Sequence, residues 1–452
     1  MKTDVLIVGG GPAGAAAALF LKRQGIDSLI VEAESFPRYH IGESMTGAAG
    51  QLLRDLGLEE EMIRLGFPVK CGVKVYGQSV AGSWFVPVRG RNAAGQLFDA
   101  ETWQVRRSDF DKLLLDRAVA GGATLIQGKA TRPIVRDGVV KGAHVDTRDG
   151  GQLVIESEML LDCSGQSTWL ANLGGVTGPK YVGAYDKQVA VFSQVRGAIR
   201  DSGTARDERK DNTLIFYKQK YHWAWFIPID DETVSVGVVA PSSLLPKGES
   251  LRTYLTRELR NLHPELSRRL PVVDLVEEVR AIPNYSYQVR DFCGKGFMCI
   301  GDAHRFVDPI FSFGLSAALR EAEFAAPAVK AWLEGKNRDS ENPFADYQLF
   351  CEKGIDVLED LLDAFWEHPF AFSVCVHDRY RDLLTDTFAG RVYEHENQPN
   401  VAINDFRRLL GRAGERELSY QDGSAYSIPI GSRYHPERAP LWDATPGESP
   451  AA

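Results

Sequence analysis

Fully apolar runs alternate with glycine-rich turns at the start of the chain. Residues 4–8 are almost entirely apolar, which is typical of a strand buried on both faces. Residues 9–14 are rich in glycine, and residues 15–24 are rich in alanine and leucine, which favour a helix. A second apolar run, residues 28–31, is closed by Glu32. The order strand, turn, helix, strand predicts a βαβ unit with two parallel strands.

Two later apolar runs are also typical of parallel strands, and each ends in a polar turn. Asp162 closes the run 159–162, and Asp302 follows the run 296–300. Open α/β sheets bind ligands beyond the carboxyl ends of their strands. We therefore expect both aspartates at the ligand-binding edge of one sheet.

The middle and the end of the chain have different patterns. Residues 75–106 and 182–240 carry β-branched and aromatic residues at short alternating spacing, which predicts antiparallel strands. From residue 314 to about 390 the pattern is helical, and after about residue 420 glycine, proline and serine accumulate without periodicity. The predicted fold class is α/β: a discontinuous Rossmann-like nucleotide-binding domain, an inserted antiparallel sheet that forms a substrate domain, and a helical C-terminal region. The predicted boundaries are 1–75, 104–180 and 280–335 for the first domain, 76–103 and 181–279 for the second, and 336–452 for the helical region with its flexible tail.

Composition narrows the possible functions. The 452 residues are 44% hydrophobic and 25% charged, the balance of a globular protein with room for two or three domains. The net charge of -9 argues against nucleic acid or an anionic membrane surface as a partner. Six scattered cysteines without a C-x-x-C pair predict neither disulfides nor a metal site. Glycines interrupt the first apolar stretch, which predicts neither a membrane span nor a signal peptide, and we expect a cytoplasmic protein.

The pattern Gly9-x-Gly11-x-x-Gly14, after a strand and before a helix, predicts a dinucleotide site. The missing side chains let a pyrophosphate approach backbone N–H groups and the positive end of the helix. Glu32 lies 18 residues after Gly14, where its carboxylate is placed to accept hydrogen bonds from ribose hydroxyls. Ala13 completes the predicted cofactor-binding segment. Glycines also make plain turns, and the motif alone does not distinguish FAD from NAD.

Further segments carry a family resemblance. Residues 36–44, 104–111, 162–165 and 301–303 resemble the flavin-contacting segments of FAD monooxygenase-type proteins. Within that group the chain resembles the flavin-dependent halogenases that act on phenols and pyrroles, from residue 1 to about 330. The resemblance implies FAD as the cofactor.

Two motifs and one lysine make the resemblance to halogenases specific. Trp223, Trp225, Ile227 and Pro228 fit the signature W-x-W-x-I-P, and residues 306–314 fit F-x-x-P-x-x-S-x-G. Lys70 stands where the family keeps its catalytic lysine. The resemblance implies further FAD contacts from the following residues: Arg38, Glu43, Ser44, Arg107, Asp162, Asp302, Pro309 and Gly314. Three of them have alternatives: a cap for Ser44, a surface position for Arg107, and a helix or turn cap for Asp302. Glu43 would line one face of the flavin.

Lys70 ends an apolar segment that contains Leu65, Phe67 and Val69. A lysine in such surroundings loses its proton more readily than in water. Its amine is then suited to hydrogen-bond hypohalous acid or to form a haloamine beside the substrate. The alternative is a solvated lysine at a strand edge, like Lys74.

The two signatures predict a channel and a halide site. Trp223 and Trp225 share one face of a strand, so they line the substrate channel with Ile227 and Pro228, or simply fill a core. The helix that begins near Gly314 offers free N–H groups, and we expect halide on those of Phe313 and Gly314. The alternative is that these groups stabilise only the flavin.

Four residues depart from the family pattern. Phe311 stands where the tryptophan-specific halogenases carry a glutamate, which disfavours free tryptophan as the substrate. Phe313 replaces a small residue beside the expected halide site. His304 and Arg305 replace small uncharged residues.

The resemblance implies an FADH2-dependent halogenase that installs chloride or bromide on an electron-rich phenol or pyrrole, either free or tethered to a carrier protein. A flavin C4a-hydroperoxide formed with O2 would oxidise the halide ion, and Lys70 would deliver the resulting hypohalous acid. A separate flavin reductase would supply FADH2, because the chain has one dinucleotide motif. Two alternatives stay open: an FAD-dependent monooxygenase or polyprenyl-type reductase on the same fold, and a flavin-binding partner protein without catalysis.

Overall fold

The computed structural model describes residues 1–78, 82–178, 180–182, 188–283, 286–393, 401–411, 415–419 and 425–429. The flexible tail predicted after about residue 420 lies outside the described residues, except for the strand Ala425–Pro429.

A sheet with five parallel strands contains the predicted βαβ unit. The parallel strands, in spatial order, are Thr124–Arg136, Ser28–Glu32, Lys2–Val8, Gln152–Asp162 and Phe297–Cys299. Two antiparallel strands complete the sheet: Val139–Thr147, which pairs with both Thr124–Arg136 and Gln152–Asp162, and Cys293–Gly294. Every residue of Ser28–Glu32 is buried, as expected for a strand covered on both faces.

The inserted second sheet is antiparallel apart from one pair of strands. Its order is Asp274–Leu275, Gln188–Arg196, Thr233–Pro241, His222–Pro228, Thr213–Gln219, Gly72–Tyr76 and Ser83–Pro87, and Arg280–Pro283 also pairs with Gln188–Arg196. Only Thr213–Gln219 and Gly72–Tyr76 run parallel among these described strands. The chain thus enters the second sheet at Gly72, a few residues before position 76, where we predicted the boundary.

Smaller sheets join the two large ones. Their strands are Val69–Lys70 with Thr102–Trp103, Arg89–Arg91 with Leu97–Asp99, Lys180–Val182 with Tyr287–Val289 and Arg305–Phe306, and Glu415–Ser419 with Ala425–Pro429. The α-helices are Pro12–Arg23, Gly47–Asp55, Glu59–Arg64, Arg107–Ala120, Trp169–Leu173, Leu251–Asn261, Pro264–Arg269, Gly314–Leu333, Ala345–Glu367, Pro369–Val374, Arg381–Phe388 and Val401–Leu409. Within the described residues, no helix is both long and apolar enough to cross a bilayer.

The strand His222–Pro228 separates two hydrophobic clusters. Trp223, Trp225 and Ile227 belong to the cluster that contains the C-terminal helices, whereas Ala224 and Phe226 pack on the other side. Alternate side chains of a strand point to opposite faces, which produces this division. The tryptophan face is the one turned toward the candidate site.

Candidate active site

A cavity of about 510 Å³ is lined by residues of both large sheets. This volume lies within the range of small-molecule and cofactor sites. Val8, Val31 and Ile300 line it near the carboxyl ends of the parallel strands, while Phe192 and Ile215 come from the second sheet. The parallel strands therefore place it at the ligand-binding edge expected for an open α/β sheet.

The glycine motif forms one end of this cavity. Gly9 has a φ of +104°, and a Cβ there would lie 2.4 Å from the carbonyl oxygen of Cys163. A Cβ at Gly14 would lie 2.0 Å from the Gly9 oxygen. Gly9, Gly11 and Ala13 line the cavity, whereas Gly14 lies outside its wall and lets the helix Pro12–Arg23 pack closely on the strand.

Glu32 lies beside the glycine motif, as predicted. Its Oε2 accepts a hydrogen bond of 2.6 Å from the Gly10 amide, and its Oε1 accepts one of 2.7 Å from the Glu34 amide. The buried carboxylate lines the cavity where the motif meets it. Such a carboxylate is held in place to accept hydrogen bonds from a ribose.

Two arginines line the next part of the cavity and share one carboxylate. Arg107 Nε donates to Asp111 Oδ1 at 2.7 Å, and Arg38 Nη1 donates to Asp111 Oδ2 at 3.0 Å. Arg107 is buried, so the surface alternative is wrong. Two guanidinium groups beside one carboxylate suit a negatively charged diphosphate.

Asp162 does not line the cavity, which corrects its predicted contact with the cofactor. Its carboxylate accepts hydrogen bonds from the amides of Ser164 and Leu170, at 3.0 and 2.8 Å. These bonds shape the loop after the strand, and residues 163–167 of that loop line the cavity instead. The sequence placed Asp162 at the correct edge but could not show that its own loop occupies the carboxylate.

The helix Gly314–Leu333 begins at the cavity. Pro309, Phe313 and Gly314 line the wall there, and a Cβ at Gly314 would meet nothing within 4 Å. The first N–H groups of a helix lack intrahelical partners and carry the positive end of its dipole. Asp302 also lines the wall, and burial raises the pKa of its carboxyl to about 7.

These features fit FAD. The adenosine-binding end has the glycine motif and Glu32, the middle has two arginines, and the far end has aromatic walls and a helix N-terminus. The open space at Gly314 leaves room for a ring system against that helix end. FAD has this sequence of parts, from adenosine through diphosphate to a flat aromatic ring.

Three of the four predicted channel residues line the cavity: Trp223, Trp225 and Ile227. The fourth, Pro228, does not, because the alternation of the strand turns it to the face of Phe226. Trp225 Nε1 donates to Ser235 Oγ at 3.1 Å. The buried Nε1 of Trp223 has no hydrogen-bond partner in the described structure.

Lys70 is buried, with 2% of its surface exposed, so the solvated alternative is wrong. Its Nζ donates hydrogen bonds of 2.8 Å to Ser44 Oγ and of 2.8 Å to the Met45 carbonyl oxygen. Burial lowers the pKa of the amine to about 7. Among the described residues, no carboxylate is paired with it.

Lys70 lines a second, small cavity of about 20 Å³ with apolar walls that include Val73, Phe311 and Phe388. Ser44 lies between the two cavities: it lines the large one, and its hydroxyl contacts the Lys70 amine. Ser44 Oγ is also 2.8 Å from Thr213 Oγ1 in the second sheet.

The predicted helix cap at Ser44 is wrong, because the cap is Thr46. Its Oγ1 accepts a hydrogen bond of 3.4 Å from the Ala49 amide at the start of the helix Gly47–Asp55. Glu43 precedes Ser44 and lines the large cavity with 1% of its surface exposed. Glu43 and Ser44 thus both line the large cavity, and Ser44 also contacts Lys70.

His304 and Arg305, which depart from the family pattern, are buried and bind carboxylates on two helices. His304 Nε2 lies 2.9 Å from Glu321 Oε2, an oxygen that also accepts the Gly301 amide at 2.6 Å. Arg305 Nη2 donates to Glu359 Oε2 at 2.7 Å. Sequence reasoning missed these pairs because the partners lie 17 to 54 residues away on other elements.

Sequence reasoning also missed part of the cavity wall. Phe192, Thr213 and Ile215 line the cavity from the second sheet, and Ile355 and Leu358 line it from the helix Ala345–Glu367. Only the alternation of apolar positions marked these residues, and that signal does not distinguish a cavity wall from a packed core.

Comparisons with known proteins place these features in a family context. The FAD binding domain family matches residues 2–341. The chain is 38% identical over 417 residues to the 1H-pyrrole-2-carbonyl-(peptidyl-carrier protein) brominase of Pseudoalteromonas luteoviolacea, which covers 92% of this chain and 98% of that relative. It is 29% identical over 409 residues to the corresponding chlorinase of Pseudomonas fluorescens, covering 86% of this chain and 89% of the relative.

Solved structures show the same relationship. The flavin-dependent brominase Bmp2 superposes with a TM-score of 0.83 at 36% identity, covering 91% of this chain and 98% of that one. The chondrochloren halogenase CndH has a TM-score of 0.73 at 23% identity, covering 93% and 99%, and shares the fold. The likeness to the brominase extends well past residue 330, beyond the range that the motifs indicated.

Proposed function

Because the chain belongs to the FAD binding domain family and is a flavin-dependent halogenase, we propose that it halogenates a pyrrole carried on a peptidyl-carrier protein. The names of the brominase and the chlorinase that it resembles support this substrate. The observation that carries the proposal is the buried Lys70 amine. It donates a hydrogen bond to the hydroxyl of Ser44, a residue that lines the large cavity, and it has no carboxylate partner in the described structure.

We propose that FAD is held by the residues predicted for it, without Asp162: Gly9, Gly11, Ala13, Gly14, Glu32, Arg38, Glu43, Ser44, Arg107, Asp302, Pro309 and Gly314. Gly14 acts through backbone packing and the others through the cavity wall. When bound and reduced, FAD supplies the chemistry that turns O2 and a halide ion into hypohalous acid. We place the halide on the N–H groups of Phe313 and Gly314, at the helix end.

The hydrogen bonds of Lys70 favour a neutral amine. An ammonium group has three N–H donors, but within the described residues Lys70 donates to two acceptors, Ser44 Oγ and the Met45 oxygen. A neutral amine has two N–H bonds and a lone pair, so these acceptors satisfy both donors. The lone pair then occupies the remaining tetrahedral position, from which it attacks electrophilic halogen. This explains how a lysine is poised to receive hypohalous acid near neutral pH.

The walls around the lysine complete the proposed mechanism. Trp223, Trp225 and Ile227 exclude water and keep an aromatic substrate from the flavin end of the cavity. The substrate approaches the amine through the apolar region near Phe311 and Phe388, which line the small cavity. A cavity of about 20 Å³ holds little more than a water, so these side chains must move when a pyrrole binds.

The proposal includes a partner enzyme. A separate flavin reductase supplies FADH2, because this chain carries one dinucleotide motif. A cytoplasmic location, where reduced nicotinamide is available to such a reductase, is part of the proposal. We also propose the three-part division of the chain predicted from sequence, with the second sheet beginning at Gly72 rather than at position 76.

The substrate test compares a pyrrole-2-carbonyl thioester on a carrier protein with free pyrrole-2-carboxylate. Each is incubated with the enzyme, FADH2 and O2, with and without bromide. We expect halogenated product only with bromide and mainly from the tethered pyrrole, measured by mass spectrometry. An oxygenated product in halide-free buffer would instead favour a monooxygenase.

The lysine test uses Lys70→Ala. We expect normal FAD binding, because Lys70 lies outside the large cavity, and a loss of halogenated product of at least about a hundredfold. FAD absorbance after gel filtration checks the first result, and product formation checks the second. Lys74→Ala, on a partly exposed lysine four residues away, is the matched control. Undiminished halogenation by Lys70→Ala would remove the lysine from the mechanism.

A further inference from the structure

Halogenation by this route consumes a proton. The balanced reaction is ArH + X⁻ + O2 + FADH2 + H⁺ → ArX + FAD + 2 H2O, in which O2 is reduced and the flavin and the arene carbon are oxidised. One proton must therefore enter at each turnover. A cavity that excludes water needs an acid in its wall to supply that proton.

We propose that Glu43 is this acid: it holds a proton on Oε2 at the flavin end of the cavity and donates it during turnover. The proposal rests on the proposed function only in that halogenation creates the demand for the proton. Glu43 is 1% exposed and lines the large cavity. Its Oε2 has no hydrogen-bond partner in the described structure.

The surroundings of Glu43 favour the neutral acid. Oε1 accepts a hydrogen bond of 3.2 Å from the Gln194 side chain, which is uncharged. The two arginines whose charges act on Glu43 are paired with other carboxylates: Arg107 with Asp111, and Arg106 with Asp230. Burying an unpaired carboxylate is costly, so the group retains its proton. Burial raises the pKa of Glu43 to about 7, against smaller opposing effects of the Ser235 hydroxyl, Gln194, Arg107 and Arg106.

Backbone contacts fix the direction of this side chain. The Glu43 carbonyl oxygen accepts a hydrogen bond of 2.7 Å from the Val105 amide. The next residue, Ser44, forms a bridge with Gln104, so the segment is extended there. The charge of Glu43 also acts on Tyr39. Burial raises the pKa of the Tyr39 hydroxyl, so Tyr39 stays neutral near pH 7.

Two other buried acids near the cavity are less suited to this role. Burial raises the pKa of Asp308 to about 7 as well, but both of its oxygens already accept hydrogen bonds of 3.1 Å, from the Ile310 amide and from Trp366 Nε1. Asp302 follows the parallel strand Phe297–Cys299, and a Cβ at the adjacent Gly301 would lie 3.8 Å from Ala13 in the glycine motif. That position is next to the glycine motif, whereas Glu43 contacts Gln194 in the second sheet.

Infrared spectroscopy of the flavin-free protein tests whether Glu43 holds the proton. We compare wild type with Glu43→Gln between about pH 5.5 and 8.5, a range that spans the titration of a buried acid. The difference spectrum isolates the carbonyl stretch of protonated Glu43 from those of Asp302 and Asp308. We expect this band at low pH, with half lost near pH 7. Glu60→Gln, on an exposed glutamate outside the cavity, is the matched control.

A second variant guards against misfolding of the first. Gln194→Leu removes a hydrogen bond that stabilises the charged form of Glu43. We expect its band to persist to higher pH. Absence of the band at low pH from folded wild type would overturn the proposal.

Turnover tests whether that proton is used. A scavenger of hypohalous acid measures oxidant formation without any pyrrole, so this arm is independent of the proposed substrate. We expect Glu43→Gln to lose at least about a hundredfold in rate while Glu60→Gln keeps the wild-type rate. Equal rates in the two variants would also overturn the proposal. If wild type forms oxidant but never halogenates the tethered pyrrole, the proposed substrate fails and the role of Glu43 stands.

Discussion

Lys70 shows how burial alone tunes a residue. Its lowered pKa has one cause, desolvation, because no charged group is paired with it in the described structure. The Ser44 hydroxyl and the Met45 carbonyl oxygen orient the amine without stabilising its charge as a carboxylate would. Burial of this one side chain therefore provides an uncharged amine, a nucleophile, near neutral pH.

The contact with Ser44 gives a first prediction. Ser44→Ala removes one of the two acceptors that orient the amine, so we expect halogenated product per O2 consumed to fall about tenfold or more. Oxygen uptake and product are measured together, since a misplaced amine lets oxidant escape while O2 uptake continues. Ser108→Ala, on a partly exposed side chain at the start of a helix and outside the cavity, is the control. Unchanged coupling would mean that Ser44 does not position Lys70.

The buried lysine also predicts a pH-dependent cost in stability. The folded pKa is about 7 and the unfolded value is 10.5, so between these values the unfolded chain binds a proton that the folded one does not. Wild-type stability therefore rises with pH in this window, and Lys70→Met lacks this slope. We expect wild type to gain about 2–3 kcal/mol relative to Lys70→Met between about pH 7.5 and 9.5. Urea unfolding at both pH values measures it, and a constant difference would contradict a buried, neutral lysine.

Two titrating groups predict the pH profile of halogenation. Lys70 must be neutral, so the rate rises with pH through about 7. Glu43 must be protonated, so the rate falls as pH rises through about 7. Because both forms are needed at once, a plot of rate against pH is a narrow bell with its maximum near neutrality. In Glu43→Gln we expect a lower rate that no longer falls on the alkaline side, and a retained alkaline fall would assign that limb to another group.

At the scale of elements, the strand His222–Pro228 has one face toward the cavity and the other toward the hydrophobic cluster that contains Phe226. Phe226 and Trp223 lie on opposite faces of it. We expect Phe226→Ala to lower the free energy of unfolding by about 3–5 kcal/mol while product per O2 consumed stays unchanged. Trp223→Phe leaves an aromatic ring in place, so it should cost less stability than Phe226→Ala. It should lower the product per O2 consumed, because the Trp223 ring lines the cavity. Denaturation curves and coupling assays check both, and the reverse pattern would contradict this division.

Elements with a strong local signal were predictable from sequence. The βαβ unit carries an apolar period and a glycine motif. The burial of Lys70 was expected from the family resemblance, because its apolar neighbours left a solvated strand edge open, and Leu65 and Val69 are themselves 40% and 41% exposed. Pro228 was wrongly assigned to the channel because all four residues of the motif were expected on one face of the strand. Alternate residues of a strand point to opposite faces, and Pro228 lies on the other one. The cap Thr46 was missed because Ser44 has the same capping chemistry. Asp162 was misassigned because the loop that occupies its carboxylate forms only in the folded chain.

At the scale of the whole molecule, the site exists only where the two sheets meet. Thr213 in the second sheet contacts Ser44, and Asn212 Oδ1 accepts a hydrogen bond of 3.1 Å from the Cys71 amide. Arg106 reaches Gln194 at 3.2 Å from the start of the helix Arg107–Ala120. These contacts join segments 88 to 169 residues apart, which no local pattern reveals. The chain therefore brings a cofactor cavity and a reactive amine together through its topology.

The most direct measurement follows the oxidant in Lys70→Met, using enzyme loaded with FAD to the wild-type level. Halogenated pyrrole and hypohalous acid captured by an external scavenger are quantified in the same reaction. The account predicts that the variant still forms oxidant, which escapes to the scavenger, while the pyrrole stays unmodified. A variant that halogenates the tethered pyrrole at the wild-type rate, with no oxidant released, would contradict it.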